Sequence, residues 1–570
     1  MMNESGKWWQ KSVVYQVYPK SFNDSNNDGV GDLNGITEKL SYIKELGADI
    51  IWLNPIYDSP HVDNGYDISN YRSIDASLGT MMDFDQLLKR SHDLGLKVIL
   101  DLVVNHTSDQ HPWFKESKKS KNSSYHDYYI WKNPVEGHEP NNWGSSFGGS
   151  SWEYVKSVGQ YYLHLFAKQQ PDLNWENPKV RQEVFDVMRF WLDKGIDGFR
   201  MDVISLISKK PDFPDGTIVQ KKKFGDYYYG AANGPRVHDY LKEMNKEVLS
   251  HYDVVTVGET PHTNVEEAVK YVDRRRQELD MVFHFDHMHL DYGEYGKFSK
   301  NRFKLLDLKD VLSRWQTEMA KHHGWNSLYW SNHDQARAVS RFGNDGKYRV
   351  SSAKMLGTLL HMMQGTPYIY EGEEIGMTNV HDAKISDYND LETLDIYNRF
   401  QNDYHLTEEE TMKAIHMKSR DNARTPMQWD ESKNAGFSKA DKTWLKVNSN
   451  FRSINVARAK DNPDSVFYYY QKLIQIRHDY PIITTGQYRL IDANNPNVFS
   501  YERIGNDNTL LVICSFAEKK IQYKVPDDLK KLDHKVLISN GDQYEWDTSG
   551  DVVLQPYAAV VYLIQGKEML

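Results

Sequence analysis

Up to about residue 485 the chain alternates short apolar, β-branched runs with amphipathic stretches. Such runs read as buried strands, and apolar residues recurring at three- and four-residue spacing read as helices packed on them. The strand candidates are 13–19, 49–55, 97–104, 198–203, 253–258, 281–285, 327–331 and 367–370. Helices are predicted over 36–46, 84–94, 180–192 and 305–319, the first two ending before Gly47 and Gly95. Strand–helix repetition of this kind predicts an α/β fold with a parallel sheet closed as a (β/α)8 TIM barrel.

Two segments break the rhythm. Residues 105–175 are rich in Trp, Tyr, Gly and Ser with little helical periodicity, too long for an ordinary connection, and are expected to form a small domain inserted after strand three. From residue 486 the pattern changes to short alternating strands at 498–503, 510–516, 521–525, 536–539 and 552–564. That predicts a C-terminal antiparallel β-sandwich over 486–570, with 1–104 and 176–485 forming the barrel.

The composition narrows the function. A net charge of −11 repels nucleic acid and anionic membranes and suits neutral substrates. The aromatic share of 13% provides a large core and also ring faces for sugars. Cys514 is the one cysteine, so no internal disulfide can form, which fits a reducing compartment. With no apolar leader and no membrane-length apolar stretch, a cytoplasmic monomer without membrane or nucleic-acid partners is expected.

Chemistry in such a barrel gathers at the C-terminal ends of the strands. Reading those ends gives Asp101 to Asn105-His106, Arg200-Met-Asp202-Val203, Gly258-Glu259-Thr260 and Asn332-His333-Asp334. One such acid alone would be read as structural, but acids, imidazoles and a guanidinium converging on one pocket suggest catalysis. Glycoside cleavage needs this set, one carboxylate acting at the anomeric carbon and a second, protonated, serving the leaving oxygen. Arg200 lies two residues before Asp202, on the same strand face, placed to keep it ionised, whereas Glu259 has no cation adjacent in sequence.

These motifs resemble the α-amylase family of glycoside hydrolases, and within it the oligo-1,6-glucosidase (isomaltase) subgroup. Gln170-Pro-Asp-Leu-Asn174, Asn64-Gly-Tyr66-Asp67 and the string from Arg420 to Trp429 resemble that subgroup as well, and the resemblance runs over essentially the whole chain. It implies Asp202 as nucleophile, Glu259 as acid/base and Asp334 as transition-state stabiliser. It further implies Asp67, His106, Arg200, His333 and Arg420 around the deepest glucose, Tyr66 stacked on that ring and Gln170 lining the pocket. The implied activity is retaining, exo-acting hydrolysis of α-1,6 bonds in isomaltose and short oligosaccharides.

Near the start, Asp24, Asn26, Asp28 and Asp32 surround Gly29, resembling an EF-hand loop without its last bidentate Glu. A metal-free Asp/Asn/Gly turn gives the same string. The family resemblance implies structural Ca2+ (or Mg2+) held by these side chains and the Val30 carbonyl, with no organic cofactor.

Val203 after the nucleophile resembles the α-1,6 members of the subgroup. Trehalose-6-phosphate hydrolases share that Val and need cations for the phosphate, which 209–223 can offer. Sucrose isomerases carry Arg-Leu-Asp-Arg-Asp where this chain has His289-Leu-Asp291-Tyr-Gly293. Non-catalytic transporter subunits lose the carboxylates and gain a membrane span, unlike this chain. Departures from the subgroup pattern are Glu371 for Gln, Ala336 for Pro, and His284 and Asp286 for Gln and Glu.

Overall fold

The computed structural model describes residues 7–219, 223–541, 544–546 and 549–566. Eight parallel strands form one sheet: β1 (Val14–Val17), β2 (Ile50–Leu53), β3 (Lys97–Val103), β4 (Gly198–Asp202), β5 (Val255–Glu259), β6 (Met281–Phe283), β7 (Ser327–Leu328) and β8 (Thr366–Tyr370). Consecutive strands pair from β1 to β6, β8 pairs with both β1 and β7, and a bridge between Val282 and Asn326 closes the ring. The inside of the barrel is packed: Trp52 stacks on Phe283 at 5.6 Å, and Phe283 meets Tyr368 at 4.6 Å.

The helices start and stop where backbone chemistry requires it. Leu33–Leu46 begins at Asp32, whose carboxylate accepts from Gly35 N–H, and ends at Gly47 with φ of 100°. Only a residue without Cβ adopts that conformation at little cost. Pro178–Lys194 opens on Asn177 with Pro in the first turn and closes at Gly195. All eight predicted strands and four predicted helices are present, with ends shifted by a few residues.

Two readings need correction. Val203 is not the last residue of β4: it has φ of 36° and ψ of 40° and opens the short helix Ile204–Leu206. The single strand predicted at 552–564 is two strands, Asp551–Leu554 pairing with Ile521–Lys524, and Ala559–Gln565 pairing in the larger C-terminal sheet. Pro556 and the left-handed Tyr557 lie between them and break the run. A further detail, which contradicts no reading of the sequence, is that the stretch 105–175 holds the short helix Pro112–Ser117 and a separate three-stranded sheet.

That larger sheet has five antiparallel strands, among them Val498–Ile504 and Asn508–Ser515. It packs on the barrel's outer helices: Tyr501 O–H donates to the Leu359 carbonyl, and Cys514 is buried there.

Candidate active site

The ends of β3, β4 and β5 are bound together by one guanidinium. Arg200 Nη1 lies 2.5 Å from Asp101 Oδ1 and 2.7 Å from Asp202 Oδ1, and its Nη2 lies 2.8 Å from Glu259 Oε2. Glu259, with no cation adjacent in sequence, gains one in space. That cation comes from the neighbouring strand: the register sets Arg200 beside Val257, and its long side chain reaches the next residue on that strand face, Glu259. Arg200 is 1% exposed and lies beside the Trp52 and Tyr66 rings.

Glu259 Oε2 also accepts the Val203 N–H at 3.0 Å. The carboxyls of Asp202 and Glu259 are held by the two terminal nitrogens of the same guanidinium. Burial pushes Glu259 up from its ordinary range; Arg200 pulls it down, and Asp334 pushes it up again. Asp202 is likewise pushed up, first by burial, against Arg200 and with Glu259 and Asp101 adding to the rise. Burial thus raises the proton affinity of both carboxyls against the pull of Arg200.

A second cluster surrounds Asp334. Arg420 donates to its Oδ1 at 2.9 Å and Arg424 at 2.7 Å. Burial pushes this carboxyl up, but His333, Arg420 and Arg424 outweigh it and hold it well below the usual range. Arg420 also pairs with Asp390 and reaches Asp63 at 3.4 Å. Gln170 donates to Asp63 at 3.0 Å. His333 accepts at Nδ1 from Gln16, so its Nε2–H faces the Tyr66 hydroxyl at 2.7 Å and Asp334 Oδ2 at 3.3 Å.

The predicted sugar-binding residues thus come together, with two adjustments. Tyr66 lies parallel to the His333 ring at 5.2 Å, so the two form one platform. Asp67 is wholly buried and accepts from Ser59 and from the Val62 and Asp63 amides, organising the loop. Asp63 makes the contacts with Gln170 and Arg420, and burial raises it to about 6. His106 lies beside Gln170 and the Tyr66 carbonyl, and burial lowers it to about 4.

Sequence reading missed the site roles of Asp63, Asp390 and Arg424. Arg424 lay inside the quoted Arg420–Trp429 string, and Asp63 next to Asn64, so proximity to those motifs was the available signal.

A family model described as alpha amylase, catalytic domain, matches residues 16–486. The chain belongs to the α-amylase family. It is 55% identical over 560 residues to an oligo-1,6-glucosidase of Parageobacillus thermoglucosidasius, covering 98% of this chain and 99% of that one. The crystal structure of a Bacillus licheniformis trehalose-6-phosphate hydrolase is 50% identical with a TM-score of 0.93, covering 98% and 100% of the two chains. An isomaltulose synthase from Protaminobacter rubrum is 44% identical with a TM-score of 0.93, over 98% and 100%.

In this α-amylase-family glycoside hydrolase the departures from the subgroup pattern lie off the reacting groups. Glu371 is wholly buried, accepts the Tyr18 N–H at 2.8 Å, and is pushed well up by burial. Burial favours its protonated form, which is close in shape and charge to the usual Gln. His284 stacks on Trp315 at 3.7 Å, and Asp286 accepts from the Trp315 ring N–H. Ala336 is buried.

The 24–32 loop closes on itself: Asp24 accepts from the Asn27 and Gly29 amides, Asn26 from Asp28, and Asp28 from Val30. Asp32 accepts from Ser25 through both oxygens and caps a helix. Among the described residues no His, Cys, Asp or Glu group of three is arranged to hold a metal. No helix among them is long and apolar enough to cross a membrane.

Proposed function

We propose that this chain is a retaining, exo-acting α-glucosidase cleaving α-1,6 bonds at the non-reducing end of isomaltose and short isomalto-oligosaccharides. The carrying observation is the Asp202–Glu259 pair, both carboxyls held by the one buried guanidinium of Arg200. Two carboxyls bridged by one guanidinium lie near each other, as the acid pair of a retaining enzyme does.

In this reading Asp202 attacks the anomeric carbon. Glu259, with its raised proton affinity, protonates the leaving oxygen and then deprotonates water. Asp334, held ionised, stabilises the cationic transition state together with the excess of carboxylates over guanidiniums around it. Asp63, Gln170, Tyr66, His106, His333 and Arg420 close the pocket beyond one glucose, which makes the action exo. Val203, buried beside Asp202, supports the α-1,6 preference by narrowing the leaving side.

The likeness to a trehalose-6-phosphate hydrolase favours a competing reading, which needs free cations near the leaving sugar. Lys209 is committed to Asp172 at 2.6 Å and to Asn105, and Lys210 lies over the Tyr229 ring at 3.2 Å. Lys221 and Lys222 lie outside the described residues.

The oxygen-rich loop with left-handed Gly29 suits a hard cation such as Ca2+, whose donors would be Asp24, Asn26, Asp28, the Val30 carbonyl and Asp32. Against it, Asp24 and Asp32 already accept several N–H and O–H groups. A cytoplasmic monomer fits the single buried thiol.

The deciding experiment is hydrolysis of isomaltose, panose, maltose, sucrose, trehalose and trehalose 6-phosphate with the product anomer read by NMR. Isomaltose should be favoured and α-glucose released first. β-Glucose as the first product would overturn retention, and preference for trehalose 6-phosphate would replace the substrate reading.

A further inference from the structure

Two arginines lie where the C-terminal sheet meets the barrel, and both are 1% exposed. Arg477 comes from the helix Val466–Asp479, and Arg503 from the sheet strand Val498–Ile504. Both are tied to the turn that leads into β8. Arg477 Nη1 donates to the carbonyls of His361 at 2.8 Å and Met363 at 2.9 Å, and its Nη2 donates to that of Gly365. Arg503 Nη1 reaches Gln316 Oε1 at 3.5 Å, and the same oxygen accepts the Gln364 N–H at 2.9 Å. One turn thus gathers two guanidiniums, close enough for the charge of Arg503 to act on Arg477.

What they lack is a counter-charge. A buried guanidinium is normally met by a carboxylate, as Arg200, Arg341 and Arg420 are in this protein. Among the described residues, Arg477 and Arg503 donate to carbonyl and amide oxygens instead. Asp49 acts on Arg477 at longer range but is committed elsewhere, accepting the Val13 N–H at 2.8 Å and facing His478 Nε2 at 3.0 Å. Glu502 precedes Arg503, points to the opposite face of the strand, and pairs with Arg489 at 2.5 Å. Tyr488, across the ladder from Arg503, and Tyr501, two residues before it, are kept as neutral phenols by burial.

Spare donors lie on the same two side chains. Arg477 Nε, Arg503 Nε and Arg503 Nη2 are buried without a hydrogen-bond partner among the described residues. A buried donor left unmade is costly, and two like charges in the interior without an anion cost more. Burial and the neighbouring guanidinium lower Arg477 only to about 9, and burial lowers Arg503 to about 10, so both are cations at neutral pH. Three carbonyls partly answer Arg477, whereas Arg503 has one long contact. Surplus positive charge and unused N–H groups therefore coincide, which is what a buried anion requires.

We infer that Arg477 and Arg503 hold a small monatomic anion, a halide such as chloride, between the barrel and the C-terminal sheet. A single-atom anion accepts N–H groups from any direction and needs the least room, which suits groups this buried. Its ligands come from the helix and the sheet strand together, so it binds only where sheet and barrel are docked and stabilises that junction.

Protein purified and crystallised in bromide should show an anomalous-scattering peak within hydrogen-bonding reach of both guanidiniums. In melting curves at constant ionic strength, exchanging gluconate for chloride should raise the melting temperature by about 2 °C or more. Arg503→Met removes one cation, keeps apolar bulk, and should abolish that rise; Arg503→Gln replaces it if the methionine variant does not fold. A structure without a bromide peak at the two arginines overturns the inference. So does a peak accompanied by identical melting in the two salts, which marks an adventitious ion only, or a chloride response that survives the loss of Arg503.

Discussion

Arg200 shows how much one side chain can set. With three carboxyls on one fully buried guanidinium, removing it strands like charges in the interior, which typically costs about 3–5 kcal/mol. The proposed roles of its partners Asp202 and Glu259 separate by leaving group. Asp202→Asn should lose roughly four or more orders of magnitude in kcat on every substrate. Glu259→Gln should spare the glycosylation step of activated aryl glucosides, which need little protonation, while losing that of isomaltose. Pre-steady-state kinetics with both substrates checks this, and equal losses would contradict the acid assignment. Glu371 yields a prediction about pH. Its folded-state proton affinity is raised by burial, so it holds a proton the unfolded chain releases above the ordinary Glu range. Stability from it is complete below about pH 4.5 and is lost as pH rises towards the folded value. Glu373, raised to about 8, acts in the same direction. Glu371→Gln should therefore raise the melting temperature at pH 8 more than at pH 5, by about 1–2 °C. Equal melting shifts at the two pH values would contradict a neutral buried acid.

At the scale of elements, two connections carry testable content. The 24–32 loop feeds directly into the helix Leu33–Leu46 through its cap Asp32. If Ca2+ is bound there only in the folded state, prolonged chelation lowers the melting temperature and added Ca2+ restores it. Melting curves with and without chelator, together with metal analysis of the protein as purified, check this; a metal-free protein with an unmoved curve refutes the site. The connection after β4, which runs from Ser205 to Arg236, is fastened to the inserted segment at Pro214 and Tyr227, and on the proposed reading it stands on the leaving side. Such a wall limits substrate length, so isomaltose and isomaltotriose should be cleaved faster than dextran at equal concentrations of non-reducing ends. Reducing-sugar release from each gives the answer, and dextran cleaved as fast as isomaltose would remove the length-limiting role.

For the whole molecule, the alternation of apolar runs and amphipathic stretches was enough to specify the barrel, because strand and helix periods are local properties of the chain. The positions of Asp202, Glu259 and Asp334 were equally legible, since strand ends in a barrel must converge on one face. The same holds for the change to alternating strands after Gly486. What the tertiary structure decided lies between segments far apart in sequence. Arg200 serves Glu259 as well as Asp202 because β4 and β5 are neighbours in register, a fact absent from residue order. Asp63 and Asp390 reach Arg420 across more than 300 and exactly 30 residues respectively. Whether Asp67 or Asp63 faces the pocket depended on which one the loop amides captured. The left-handed turn at Val203, and with it an N–H aimed at Glu259, runs against what a β-branched residue prefers locally. The sequence by itself determined the elements and the proposed reacting groups, whose signals are local. Partnership, protonation and the shape of the leaving side come from burial and from contacts between distant segments, which only the assembled fold supplies.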